Sequence, residues 1–170
     1  MIHDPYGNHV IQRCIHMKSA FAKDAKDTED MVRASEIMDQ IQFVIDDVVE
    51  NIEQLSLHKY GCRVVQRSIE HCTDKQRVAI LDAITACNER IAEDLYGNYV
   101  LQQVIITGTE IHRKQILNNL IRKEGNIFRL SKQKCASNVV EKMLQHGNVE
   151  QKNLILDEIL KVVYHLFPNT

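Results

Sequence analysis

"YGNYVLQQVI", residues 96–105, puts Val100, Leu101, Val104 and Ile105 on one side of any helix it forms, and Asn98, Tyr99, Gln102 and Gln103 on the other. Near-copies recur as "YGNHVIQRCI" from Tyr6, "YGCRVVQRSI" from Tyr60 and "CASNVVEKML" from Cys135. Their third residues, Asn8, Cys62, Asn98 and Ser137, are spaced by 54, 36 and 39. A period near 36 with one inflated interval marks a repeat array carrying an insertion.

A second helical pattern fills the gaps. Ile41, Val44, Ile45 and Val48 follow i, i+3, i+4, i+7; Val78, Leu81 and Ile84 run similarly, as do Ile116, Leu117, Leu120 and Ile121. Leu156, Ile159, Leu160 and Val163 make the last copy. Each repeat therefore reads as a longer outer helix, a short connection and a shorter helix opened by Tyr-Gly. One such unit cannot bury its apolar stripe alone, whereas stacked units can, which predicts an all-α helical solenoid. Two prolines and six glycines in 170 residues agree with helices over an all-β chain. The short helices are expected near 7–16, 61–71, 97–107 and 136–146 of a single repeat domain over 1–170. The insertion falls at about 18–35, a charged, Ala-rich stretch expected to be a surface loop or a helix extension. The chain starts at a Tyr-Gly helix and stops after an outer helix, which raises the expectation of a fragment of a longer array, with end-to-end self-association through the incomplete terminal repeats.

The net charge of −2 hides an asymmetry: residues 18–53 hold four Lys/Arg against ten Asp/Glu, and the rest hold 17 against 13. Arg13, Lys59, Arg63, Arg67, Arg129, Lys132, Lys134 and Lys142 lie in or just before the short helices, where cations can meet phosphates. Five widely spaced cysteines without a CxxC pair suit a reducing, intracellular setting, with the cytoplasm as the expected location. Cys14, Cys72 and Cys87 read as buried thiols. His71-Cys72 near Cys62 fits no zinc spacing. No apolar run approaches membrane-spanning length. No P-loop, GxSxG or HExxH is present, so neither an enzyme nor a cofactor is expected.

The polar faces carry the chemistry. In each phrase the third and seventh residues lie one helical turn apart: Asn8/Gln12, Cys62/Gln66, Asn98/Gln102 and Ser137/Glu141. Uracil offers acceptor, donor and acceptor, which two amides can complement. Adenine offers one donor and one acceptor, for which one amide and a small neighbour suffice. Guanine offers two adjacent donors, which a carboxylate such as Glu141 accepts together. The fourth residues, His9, Arg63, Tyr99 and Asn138, supply flat groups for stacking between bases. Any one such face is usually plain solvated surface; four in register, with correlated changes, are not.

On "GNHVIQ", "GCRVVQ", "GNYVLQ" and "ASNVVEK", the chain resembles the Pumilio (PUF) family, in which each repeat binds one base of single-stranded RNA. The resemblance covers nearly all of the chain outside 18–35 and matches repeats four to seven plus part of repeat eight. It implies a right-handed, curved, armadillo-like solenoid with a concave RNA-binding face. It implies that Asn8/Gln12 read uracil with His9 stacking, Cys62/Gln66 adenine with Arg63, Asn98/Gln102 uracil with Tyr99, and Ser137/Glu141 guanine with Asn138. RNA runs antiparallel to the repeats in that family, so the implied site is 5′-GUAU-3′ within a UGUA-type 3′-UTR element. Post-transcriptional regulation, including translational repression, and protein co-regulators would follow. The alternatives are a helical-repeat protein-interaction scaffold and a divergent ribosome-assembly factor. Cys135 departs from the bulky aromatic expected at its position.

Overall fold

The computed structural model describes residues 1–24, 30, 32, 36 and 39–166. Among them all regular structure is helical: α1 Gly7–Asp24, α2 Gln42–Glu50, α3 Ile52–Ser56, α4 Gly61–His71, α5 Asp74–Ala86, α6 Asn88–Glu93, α7 Gly97–Thr107, α8 Glu110–Ile121, α9 Asn126–Ser131, α10 Ala136–His146 and α11 Val149–Leu166. Residues 18–24 of the insertion continue α1; most of the remainder lies outside the described residues. The chain divides into two compact units, Met1–Ile84 and Thr85–Thr170.

The connection expected between outer and inner helices contains a helix of its own. Each full repeat is a triplet: α2–α3–α4, α5–α6–α7 and α8–α9–α10. In the first unit α1 and α3 pack on α4 around Ile15, Leu55, Val64, Val65 and Ile69. In the second unit α6 packs on α7, α7 on α10, and α9 on both α10 and α11, around Ile91, Leu101, Ile105, Ile127 and Met143. Each of these fully buried side chains contributes roughly 1.5–3 kcal/mol over its exposed state.

Two outer helices are turned relative to the sequence expectation. On α5 Val78 is 46% exposed, while Ile80, Leu81 and Ile84 are buried. On α11 Leu156 and Leu160 are exposed, and Ile155 is the buried aliphatic residue. One cause serves both: a glutamine in the first turn points inward. Gln76 Oε1 accepts a hydrogen bond from Thr73 N (3.1 Å), and its Nε2 donates one to Gln42 Oε1 (2.8 Å). Gln151 takes one from Asn148 N (3.1 Å). A buried cap residue belongs to the core-facing stripe although its side chain is polar.

Candidate nucleic-acid interface

The short Tyr-Gly helices begin where the backbone passes another helix at close range. A Cβ on Gly97 would sit 2.7 Å from Ile91 O of α6, and one on Gly61 would sit 2.7 Å from Leu55 O of α3. That contact explains the Tyr-Gly signature. The fourth phrase fills the same place with Ala136, which is fully buried.

The turns into α1, α4 and α7 are each tied by a side chain three residues ahead of the glycine. Asp4 Oδ1 accepts from Tyr6 N (2.9 Å) and Gly7 N (2.6 Å); Asp94 Oδ1 accepts from Tyr96 N (2.8 Å) and Gly97 N (2.8 Å). These are Asx-type turns. The two amides hold the Asp4 carboxyl below the usual carboxylate range. At the equivalent place before α4, His58 Nδ1 accepts from Tyr60 N (3.2 Å) and Gly61 N (3.1 Å). The far ends are tied too: Arg77 donates to Ile69 O and Cys72 O, and Arg113 to Ile105 O and Gly108 O, placing cations at the negative ends of α4 and α7.

These turns fix the third-position residues. Asn98 is buried (2% exposed), and its Nδ2 donates to Asp94 O (2.9 Å) and Leu95 O (2.9 Å). Its Oδ1 accepts from Gln102 Nε2 at 2.9 Å. Asn8 repeats the pattern, donating to Asp4 O and Pro5 O and accepting from Gln12 Nε2 at 2.7 Å. The two asparagines are therefore inward supports, not members of an open polar face. The chain of donors runs one way, from Gln through Asn to backbone carbonyls, and so sets which end of each Gln amide is held. Tyr99 is 51% exposed beside this pair, and His9 is exposed beside the other.

The other two phrases differ. Cys62 is buried, with Sγ 3.4 Å from Lys59 O. Exposed Arg63 donates to Gln66 Oε1 at 3.4 Å. Ser137 Oγ and Asn138 Nδ2 both donate to Lys134 O at 3.3 Å. Glu141 is exposed, and its Oε1 accepts from Gln145 Nε2 (2.8 Å), while Gln145 Oε1 accepts from Lys142 Nζ (2.8 Å).

Several expected phosphate partners have protein partners. Arg129 pairs with Glu93 at 2.6 Å and Arg67 with Glu70 at 2.6 Å. The hydrogen bond from Arg129, helped by Gln133, keeps the Glu93 carboxyl below the usual range. Lys59 lies over the Tyr60 ring and Lys132 over that of Phe128. Burial pushes the Cys72 thiol up to about 12, which makes it a poor nucleophile. Cys14 is exposed rather than buried, because it sits on the open side of α1. Among the described residues, no helix is long and apolar enough to cross a membrane, and no His/Cys/Asp/Glu cluster could hold a metal ion.

Asp4, His58, Asp94, Arg77 and Arg113 escape a reading of the polar faces alone. Their signal was present as a fixed offset: Asp or His three residues before the glycine of each Tyr-Gly pair, and Arg five residues after the last residue capping α4 or α7.

The family model for the Pumilio-family RNA binding repeat matches residues 1–16, 51–85, 90–121 and 126–160. The chain is 29% identical over 157 residues to the Pumilio domain-containing protein C6G9.14 of Schizosaccharomyces pombe, covering 92% of this chain and 20% of that protein. It is 32% identical over 147 residues to the suppressor protein MPT5 of Saccharomyces cerevisiae, covering 85% of this chain and 15% of the relative. Among solved structures, PUF-8 in complex with PBE-RNA superposes with a TM-score of 0.64 at 34% identity, over 89% of this chain and 42% of that one. The chain thus spans about a fifth of the length of the curated relatives it matches. It belongs to the Pumilio family, and its helical triplets are PUF repeats.

Proposed function

We propose that this Pumilio-family chain binds single-stranded RNA with base specificity, one base per reading helix, in the order 5′-GUAU-3′ within a UGUA-type 3′-UTR element. Its setting on this reading is cytoplasmic mRNA, regulated after transcription. The observation that carries the proposal is the change of hydrogen-bonding character among otherwise equivalent positions. Gln12 and Gln102 are held by their nitrogens, which leaves Oε1 to accept uracil N3–H. Gln66 stands one turn beyond small, buried Cys62, and on this reading its amide meets the donor and acceptor of the adenine edge. Glu141 is exposed and presents a carboxylate for the two guanine donors. The RNA in the PUF-8 complex supports the ligand class.

On this reading the asparagines at positions 8 and 98 act on the base through the glutamines they hold. Arg13, Lys134 and the exposed part of Arg63 carry the phosphate contacts, so affinity falls as salt rises. The test is a fluorescence anisotropy titration with short RNAs. Micromolar or tighter binding to GUAU is expected, with weaker binding to AUAU; equal affinity for the two removes Glu141 as the guanine reader. Tyr99→Ala should weaken all RNAs by roughly 1–3 kcal/mol, the value of one stacked base, without reordering them. Absence of RNA binding even at low salt would favour the protein-scaffold reading.

A further inference from the structure

His58 stands apart from its counterparts. Before α1 and α7 an aspartate carboxylate ties the turn. Before α4 the same two backbone N–H groups, from Tyr60 and Gly61, point at an imidazole nitrogen. An N–H donor needs a lone pair, so His58 must be neutral with its proton on Nε2. Protonation would convert Nδ1 to a donor, oppose both amides, and place a cation at the positive end of α4. Aspartate at the same place has the opposite, favourable interaction with the helix end.

We infer that His58 is a positioning residue for the Cys62/Gln66 module: its unprotonated Nδ1 holds the first turn of α4, and gain of a proton loosens that module while the aspartate-tied α1 and α7 keep theirs. The inference rests on the RNA-reading assignment of Cys62 and Gln66. Cys62 is four residues beyond His58, and its backbone N–H bonds to His58 O at 3.0 Å, so the turn that His58 ties is the turn that places Cys62. Arg63, which holds Gln66, follows directly.

The ionisable groups on the surrounding elements are few. His3 and Asp4 lie on the segment before α1, with the His3 ring edge-on to His58 at 4.6 Å. Asp47 lies on α2 and Glu53 on α3. Lys59, Tyr60 and Arg63 flank the turn, with the Tyr60 ring 5.8 Å from His58. Partial burial, reinforced by His3, holds His58 below the usual histidine value. The two donated amides act in the same direction. The sign follows: a lowered folded pKa gives a contribution complete above the unfolded value of about 6.5, and lost as pH falls through the folded one. The aspartate turn at α1 loses its contribution only below about 3.8.

The experiment compares the 170-residue chain with His58→Asp, which keeps the acceptor and removes titration in this range. Binding of GUAU and of GUCU, altered at the base assigned to α4, is measured between pH 7.5 and 5.5. In wild type the preference for GUAU should fall about fivefold at the acid end, the size of a lost helix cap. In His58→Asp it should stay within about twofold. Parallel profiles in the two proteins overturn the inference. Amide protection of Gly61, referenced to Gly97 by hydrogen exchange and NMR, reads the same turn without RNA. Selective loss of Gly61 protection at pH 5.5 in wild type supports the positioning role, and unchanged protection overturns it even if no RNA binds. If His58→Asp fails to fold, His58→Asn supplies a neutral acceptor for the same comparison.

Discussion

Helices α7 and α10 lie against each other in the second unit, have the same length and carry equivalent phrases, yet their polar positions are constructed differently. On α7, Asn98 is buried and bonded three ways, and Gln102 leans on it. On α10, Ser137 has one long bond to a carbonyl, and exposed Glu141 is steadied from the other side by Gln145. The first is organised from within the fold, the second from the surface. Equivalent polar positions can therefore be supported by core structure or by neighbours on the same helix, and mutation should expose the difference.

The largest effect is expected at the surface-supported site. Glu141→Gln loses a charged acceptor for two donors, and affinity for GUAU should drop about tenfold to a hundredfold by titration, with AUAU gaining rank. Retention of the guanine preference would mean that α10 is specified elsewhere. Next, Asn98→Ala should cost about 1–3 kcal/mol in urea unfolding, because a buried amide with three bonds is removed. Ser137→Ala should stay within about 0.5 kcal/mol. Equal costs would erase the contrast. Gly97→Ala should cost about 1–2 kcal/mol as its Cβ meets Ile91 O, net of the gain in helix propensity. Ala136→Gly tests the partner position and should cost about 0.5–1 kcal/mol.

The smallest effect concerns the ion pair that braces α9 against α6. Arg129 and Glu93 side chains are 51% and 37% exposed, so the pair is worth under about 1 kcal/mol after screening. The Glu93 carboxyl is lowered mainly by its bond from Arg129. Its contribution is therefore present above about 4.5 and lost as pH falls through the lower folded value. Arg129→Gln should reduce the difference between urea midpoints measured at pH 6 and pH 3.5.

The repeats and the helix type were legible in the sequence because periodicity and self-similarity both report on the core. The phase of α5 and α11 was not, since Gln76 and Gln151 are polar residues that face inward as caps. Nor was the burial of Asn8 and Asn98. A helical wheel assigns them to the polar side, but their amides satisfy carbonyls of the preceding turn, which a wheel cannot represent. The short helices α3, α6 and α9 have only five or six residues, below the length at which a 3.6-residue period becomes visible. The replacement of aspartate by histidine at position 58 gains meaning only once the turn geometry shows that both do the same job.

The one-way run from Gln102 to Asn98 to the carbonyls of Asp94 and Leu95 also limits which substitutions this pair can accept. Glutamate at 102 could not donate to Asn98, whose own hydrogens are already spent on the backbone, so two acceptors would face each other. On the proposed base assignment, a uracil position therefore cannot become a guanine position by one substitution without passing through a destabilised intermediate. Residues 98 and 102 must change together, and the Ser137/Glu141 pair is what such a paired replacement looks like when complete. Drift in target choice should accordingly proceed in double steps, with the third-position residue relaxing first.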